Sequence, residues 1–251
     1  MDLQLKGRRC LVTGASAGIG AGIVRALAQE GALVVATARR EELLETLANE
    51  VAKEGKPRPV TVPGNLTDKG DVRRIAKEAA AAVGPIEILV NCAGGSRPVP
   101  IDASDEQWEQ AIALNFTSAR RLTQEVLPAM REAHWGRIIN ITGLMEPRTV
   151  NAATAAKAAL HLWAKGLSRD VAHDGITVNN VPPGRIESEQ VARLFPKAQR
   201  QAFIEANVPI GYFGQPADIA SLVTYLASPL ARYITGTVIP VDGGMSYFGA
   251  L

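Results

Sequence analysis

Three glycines, Gly14, Gly18 and Gly20, stand in the stretch LVTGASAGIG (residues 11–20), after a short apolar, β-branched run and before a helical pattern. A chain that leaves a strand there and enters a helix must turn sharply. Glycine removes the Cβ that would keep backbone N–H groups away from a phosphate. The helix N-terminus that follows adds favourable partial positive charge. A bare glycine triplet says little, but one between the first strand and first helix of an alternating chain points to a dinucleotide pyrophosphate. The two cysteines, Cys10 and Cys92, each lie in an apolar stretch. Burial as small hydrophobes is favoured over a disulfide or a metal site, so no metal is expected.

Such a loop needs a scaffold, and the chain supplies one in short strands alternating with longer helical patterns. RCLVT leads into the glycine turn and a helix to about Glu30; LVVAT precedes EELLETLANEVAKE; PVTV precedes DKGDVRRIAKEAAAAV. IEILVN precedes a long helical region from Ser104 to Ala133, RIINIT a helix through roughly His173, and GITVNNV and GTVIPV follow. This βαβα order predicts an α/β fold, a doubly wound parallel sheet covered by helices on both faces. The strands are apolar on both sides, as buried parallel strands require. Connections are short except at about 185–215, a more polar segment expected to form a lid over a pocket at the strand ends rather than a plain surface excursion.

A length of 251 residues suits one domain, 1–251, with a full core. The 47% hydrophobic and 21% charged content is ordinary for a globular chain. A net charge of +2 is too small to suggest nucleic acid or a membrane surface, and mixed-sign runs such as DVRRIAKE read as solvated helix faces. MDLQLKGRRC has no apolar signal core, and no apolar run of about 18 residues occurs, so no membrane span and a cytoplasmic location are expected.

Over nearly its whole length the chain resembles the short-chain dehydrogenase/reductases, of the 3-oxoacyl-carrier-protein-reductase-like, single-domain type. The resemblance is carried by TGASAGIG (13–20), NLTD (65–68), NCAG (91–94), LNFTSA (114–119), GITVNNVPPGRIES (175–188) and ITGTVIPVDGG (234–244), in that order. It implies a Rossmann-type fold and a nicotinamide dinucleotide cofactor. Gly14, Ser16, Gly18, Ile19 and Gly20 would hold its phosphates and neighbouring ribose. Asn65, where the family usually has Asp, and Leu66 would lie beside the adenine. Asn91, Ala93 and Gly94 would line the cofactor channel. Pro183, Gly184, Ile186 and Ser188 would face the nicotinamide. After the second strand stand Ala38, Arg39 and Arg40, with no acid to repel a 2′-phosphate. NADP is therefore expected over NAD.

The family's reaction centre is incomplete. A tyrosine protonates the carbonyl oxygen there, a lysine four residues on lowers its pKa and binds the ribose, a serine holds the substrate oxygen and an asparagine positions a relay water. Lys157 fits the lysine and Asn115 the asparagine, but Ala153 occupies the tyrosine position and Gly143, beside Thr142, the serine position. All four tyrosines (212, 225, 233 and 247) come later, so no shift of alignment restores Tyr-x-x-x-Lys. Loss of a positioned acid costs roughly 10²–10⁴ in rate. Thr142 is the nearest replacement hydroxyl; Thr154, Tyr212 and His161 are weaker candidates, and Glu146 and Arg148 flank the expected substrate pocket, leaving an acidic substrate open. The expectation is an oxidoreductase-like protein acting on a small carbonyl or alcohol with a non-standard site. The alternatives are a cofactor-binding protein without turnover and a lyase or isomerase on the same scaffold. The family also implies a homo-oligomer, tetramer or dimer. On the Lys157 helix, Leu160, Trp163, Leu167 and Val171 form an apolar stripe that is core or subunit interface.

Overall fold

The computed structural model describes residues 1–246 except Arg97, Leu144, Met145 and Arg148, and only the backbone of Gln190, Leu194 and Lys197. Six strands form one parallel sheet: β1 Arg9–Thr13, β2 Leu33–Thr37, β3 Val60–Thr61, β4 Ile88–Asn91, β5 Gly136–Ile141 and β6 Ile176–Val181. Their order is β3-β2-β1-β4-β5-β6. The chain therefore winds outward from β1, returns, and winds outward on the other side, reversing between β1 and β4.

Alternation along each strand divides the apolar side chains between two cores. Cys10, Val12, Val34, Ala36, Ile88, Val90, Ile139 and Ile141 join one cluster, with Ile23, Leu27, Leu44 and Ile219 from the helices α1 Gly18–Gln29, α2 Glu41–Lys53 and α9 Pro216–Ala227. Leu11, Val35, Leu89, Ile138 and Val178 join the other. There they meet Ile75, Leu122 and Ala164 from α3 Lys69–Val83, α5 Ser118–Glu132 and α6 Ala152–Val171. Of the α6 stripe, Val171 belongs to this core, Trp163 and Leu167 pack against it, and Leu160 is buried.

Three expected elements differ in form. PVTV yields only the two-residue β3, held between Pro59 and Pro63, which cannot donate to a ladder. GTVIPV runs parallel to β6 through bridges of Val238 with Asn180 and of Val241 with Pro183, but Pro182 lacks the N–H that would meet the Ile239 carbonyl, and no continuous strand forms. The helix expected from Ser104 to Ala133 is α4 Asp105–Ile112, a π-helical turn Ala113–Thr117 and α5. The segment expected as a lid contains α7 Glu189–Leu194 and α8 Lys197–Asn207, with a small cluster of Val191, Val208 and Phe213 joined by Phe195 and Phe203.

Candidate functional site

Where the strand order reverses, a cleft of about 870 Å³ opens at the carboxyl ends of the strands. Its floor is the glycine turn. Gly14 has φ +64°, and a Cβ there would lie 2.9 Å from the Ala93 backbone and the Cys92 carbonyl. A Cβ on Gly20 would lie 2.2 Å from the Gly14 carbonyl. Both positions admit only glycine, which packs β1 and α1 closely enough for the first amides of α1 to face the cleft. That helix has no side-chain cap and no acid in its first turn, so its amides are open to an anion. Thr13 ties this turn to the next: its Oγ1 accepts from the Cys92 and Ala93 N–H groups, both at 2.9 Å, and donates to Val90 O at 3.4 Å.

One end of the cleft is lined by Ser16, Ala38, Arg39, Arg40, Asn65 and Leu66. Arg40 donates to Glu189 of α7 at 2.7 Å and to Ser16 Oγ at 3.4 Å, so it spans from the glycine turn to the segment above. The Asn65 side chain closes its own turn, its Oδ1 accepting from the Thr67 N–H at 3.2 Å and the Thr67 hydroxyl at 2.9 Å. The Asn65 N–H donates to Asp71 at 2.8 Å, and that bond, with Arg74, holds the Asp71 carboxyl below the usual range. Two exposed guanidiniums, uncapped helix amides and glycines that admit no side chain fit a dinucleotide carrying several phosphates.

The other end is built around Gly94. A Cβ there would lie 2.9 Å from Asn115 Oδ1 and 3.6 Å from Lys157 Nζ. Asn115 sits in the π-helical turn, where Nδ2 donates to Ala111 O and Oδ1 accepts the Gly95 N–H, each at 3.0 Å. Lys157 Nζ donates to the Thr142 carbonyl at 2.7 Å. Burial pushes the Lys157 ammonium pKa down. Burial likewise pushes the neighbouring Cys92 thiol up to about 12, so it stays protonated. Thr142 Oγ1 lies 2.6 Å from His161 Nε2, and burial, then Lys157, depresses that imidazole to about 4. Around neutral pH the ring is uncharged.

The cleft brings together Gly14, Ser16, Gly18, Ile19, Gly20, Arg39, Arg40, Asn65, Leu66, Ala93, Gly94, Lys157, Pro183, Gly184, Ile186 and Ser188. Ser188 Oγ accepts the Val191 N–H at 3.2 Å, so the hydroxyl also caps α7. Asn91, Asn115 and Thr142 are buried behind this lining. Asn91 belongs to an asparagine ladder across adjacent strands: its Nδ2 donates to Asn140 Oδ1 at 2.9 Å, and Asn140 Nδ2 donates to Asn180 Oδ1 at 3.0 Å. Gly143 lies against the Lys157 stem, and Ala153 is only 3% exposed. Tyr212 is 56% exposed, and none of the described tyrosines (212, 225 and 233) lines the cleft. Glu146 is exposed, and Arg148 lies outside the described residues. Two participants escaped sequence reasoning. Ser96 lines the cleft, and Asn151 Nδ2 donates to its Oγ at 3.0 Å. Their only sequence signal was Asn151 as an N-cap candidate ahead of α6.

A family profile described as enoyl-(acyl carrier protein) reductase matches residues 14–246. Nodulation protein G from Rhizobium sp. (strain N33) is 40% identical, the match covering 97% of this chain and 98% of that protein. The 3-oxoacyl-(acyl-carrier-protein) reductase FabG of Escherichia coli (strain K12) is 38% identical over 97% of this chain and 99% of its own. A solved 7α-hydroxysteroid dehydrogenase, complexed with NADH and 7-oxo glycochenodeoxycholic acid, superposes with a TM-score of 0.93 at 29% identity, covering 99% of this chain and 98% of that one. Strand order, glycine turn and full-length similarity agree, and the chain belongs to the short-chain dehydrogenase/reductase family.

Proposed function

We propose that the protein binds NADP(H) and interconverts a small-molecule carbonyl and alcohol at a centre that does without the family's tyrosine and serine. The observation that carries this reading is the placement of Lys157 and Asn115 on either side of Gly94, at the end of a dinucleotide-sized cleft. When bound, the cofactor supplies hydride chemistry. The chain's own groups do the rest. The glycine turn and α1 amides hold the diphosphate, and Arg39 and Arg40 take the 2′-phosphate. Lys157 would hold the ribose, and the Gly95–Asn115 bond fixes the loop beside Lys157. Such positioning is itself a large share of catalysis. Ala153 and Gly143 present no donor to the substrate oxygen, so turnover of simple ketones is slow.

The same reading takes residues 185–215 as a lid, with α7 lining the cleft through Glu189, Val191 and Arg193. The free thiols Cys10 and Cys92 fit a reducing, cytoplasmic setting. No helix among the described residues is long and apolar enough to cross a membrane. Leu162 on α6 is 78% exposed, which suits a homo-oligomer joined through the long central helices.

Fluorescence titration with NADPH and NADH, followed by turnover of carbonyl compounds by wild type and Ala153→Tyr, tests the proposal. NADPH binds about tenfold tighter than NADH, and the tyrosine raises turnover by roughly 10²-fold or more. Equal affinity for both nucleotides overturns the cofactor assignment. Fast wild-type turnover that the tyrosine leaves unchanged shows that another acid already does the work.

A further inference from the structure

Hydride addition to a carbonyl leaves negative charge on its oxygen, and some donor must meet it. The side chains at the two usual donor positions, Ala153 and Gly143, have none. Thr142 does not serve either: it is 1% exposed, and its hydroxyl is turned to His161 at 2.6 Å, behind the cleft wall. Lys157 directs one ammonium proton to the Thr142 carbonyl.

Ser96 is placed differently. It lines the cleft on the loop after β4, next to Gly94 and Gly95, which face Lys157 Nζ and Asn115 Oδ1. Its Oγ accepts from Asn151 Nδ2 at 3.0 Å. The orientation of that amide is fixed by the backbone, because Asn151 Oδ1 accepts the Ala153 and Thr154 N–H groups at 3.0 and 3.3 Å and so caps α6. With the amide oxygen engaged there and the nitrogen turned to Ser96, the serine receives a hydrogen bond from Asn151 and keeps its own proton for the cleft. A hydroxyl that accepts one hydrogen bond becomes a better donor of the next. The Pro98–Asn151 bridge holds the same loop against the same turn of α6, two residues before Ala153.

We propose that Ser96 is the hydroxyl that donates to the substrate oxygen, with Asn151 as its positioning residue. This rests on the reading of the cleft as a carbonyl site. Three variants test it: Ser96→Ala, Ser96→Thr and Asn151→Asp. The readouts are calorimetric binding of an acetoacetyl thioester to the NADP⁺-loaded protein, NADPH oxidation with the same thioester, NADPH affinity and melting temperature.

Ser96→Ala weakens thioester binding about tenfold and lowers kcat/KM by about 10²-fold, the worth of one oxyanion donor. Ser96→Thr stays within about threefold of wild type. Asn151→Asp still caps α6, since a carboxylate accepts the same N–H groups at a helix N-terminus, so its melting temperature is unchanged. Its carboxylate draws the Ser96 proton to itself, and kcat/KM falls as in Ser96→Ala. NADPH affinity is the same in all four proteins.

Unchanged thioester affinity and rate in Ser96→Ala overturn the assignment and leave the carbonyl reading standing. A wild-type rate in Asn151→Asp reduces the Ser96–Asn151 bond to a loop tether. Failure of the wild-type protein to bind the thioester, with NADPH still bound, removes the carbonyl reading and Ser96 with it.

Discussion

Thr142 and His161 make a buried pair behind the cleft lining, and it has a pH signature. In the unfolded chain the imidazole titrates near its ordinary 6.5, whereas burial in the fold depresses it to about 4. Between those values the unfolded state binds more protons, so stability rises with pH there. The contribution is full above about 6.5 and is lost as the pH falls toward 4. Urea melts between pH 7 and pH 4.5 should therefore show a loss on the order of 1–3 kcal/mol from this group. His161→Gln keeps a hydrogen-bonding partner for Thr142 but does not titrate, and it should flatten that part of the profile. A slope identical to wild type would place the titration elsewhere. At this scale the sequence was legible where a residue's role depends on its backbone. Gly14 and Gly20 are demanded by the turn, and Lys157 reaches the cleft from its place on α6. Ser96 was not legible, because its partner Asn151 lies 55 residues away and only the folded loop brings them together.

At the scale of elements, α7 is tied to the nucleotide end of the cleft by the Arg40–Glu189 pair. Both side chains are about half exposed or more, at 49% and 64%, so the pair contributes less than about 1 kcal/mol to stability. On the proposed NADP(H) reading, it nevertheless occupies a guanidinium that the 2′-phosphate would use. Glu189→Gln should leave the melting temperature within about 1 °C and lower the NADPH Kd about threefold, with the NADH Kd unmoved. An unchanged NADPH Kd would remove Arg40 from the phosphate site. The alternating elements were readable because buried parallel strands and amphipathic helices have different periods. The π-helical turn was not, since a single inserted residue barely disturbs the apolar pattern from Ser104 to Ala133, although it is what holds Asn115 beside Gly94. The strand expected at GTVIPV failed because its partner segment breaks the ladder, Pro182 having no N–H for the Ile239 carbonyl.

Across the whole molecule, the cleft-lining groups gather at the carboxyl edge of the sheet, and a separate knot secures the opposite edge. Arg137, 1% exposed at the start of β5, donates to the carbonyls of Gly136, Gly175 and Ser228 at 2.7, 3.2 and 3.3 Å. Its guanidinium lies 4.4 Å from the centre of the Trp135 ring, and that of Arg8 lies 4.1 Å from it. Burial, then Arg8, lowers the Arg137 pKa to about 10, so it remains charged at neutral pH. Arg137→Met should strand those carbonyls and cost about 2–4 kcal/mol, a fall of roughly 5–15 °C in Tm. NADPH affinity, measured below the transition, should stay within twofold. A large loss of affinity in the folded variant would show that the two edges are coupled.

Thr142 is gripped twice by α6, its carbonyl by Lys157 and its hydroxyl by His161, residues one helical turn apart. The end of β5 is thereby fastened to the helix before the connecting loop begins. The position of the ammonium is then set by the strand and the helix. The ammonium's anchorage is thereby insulated from whatever sequence follows the strand.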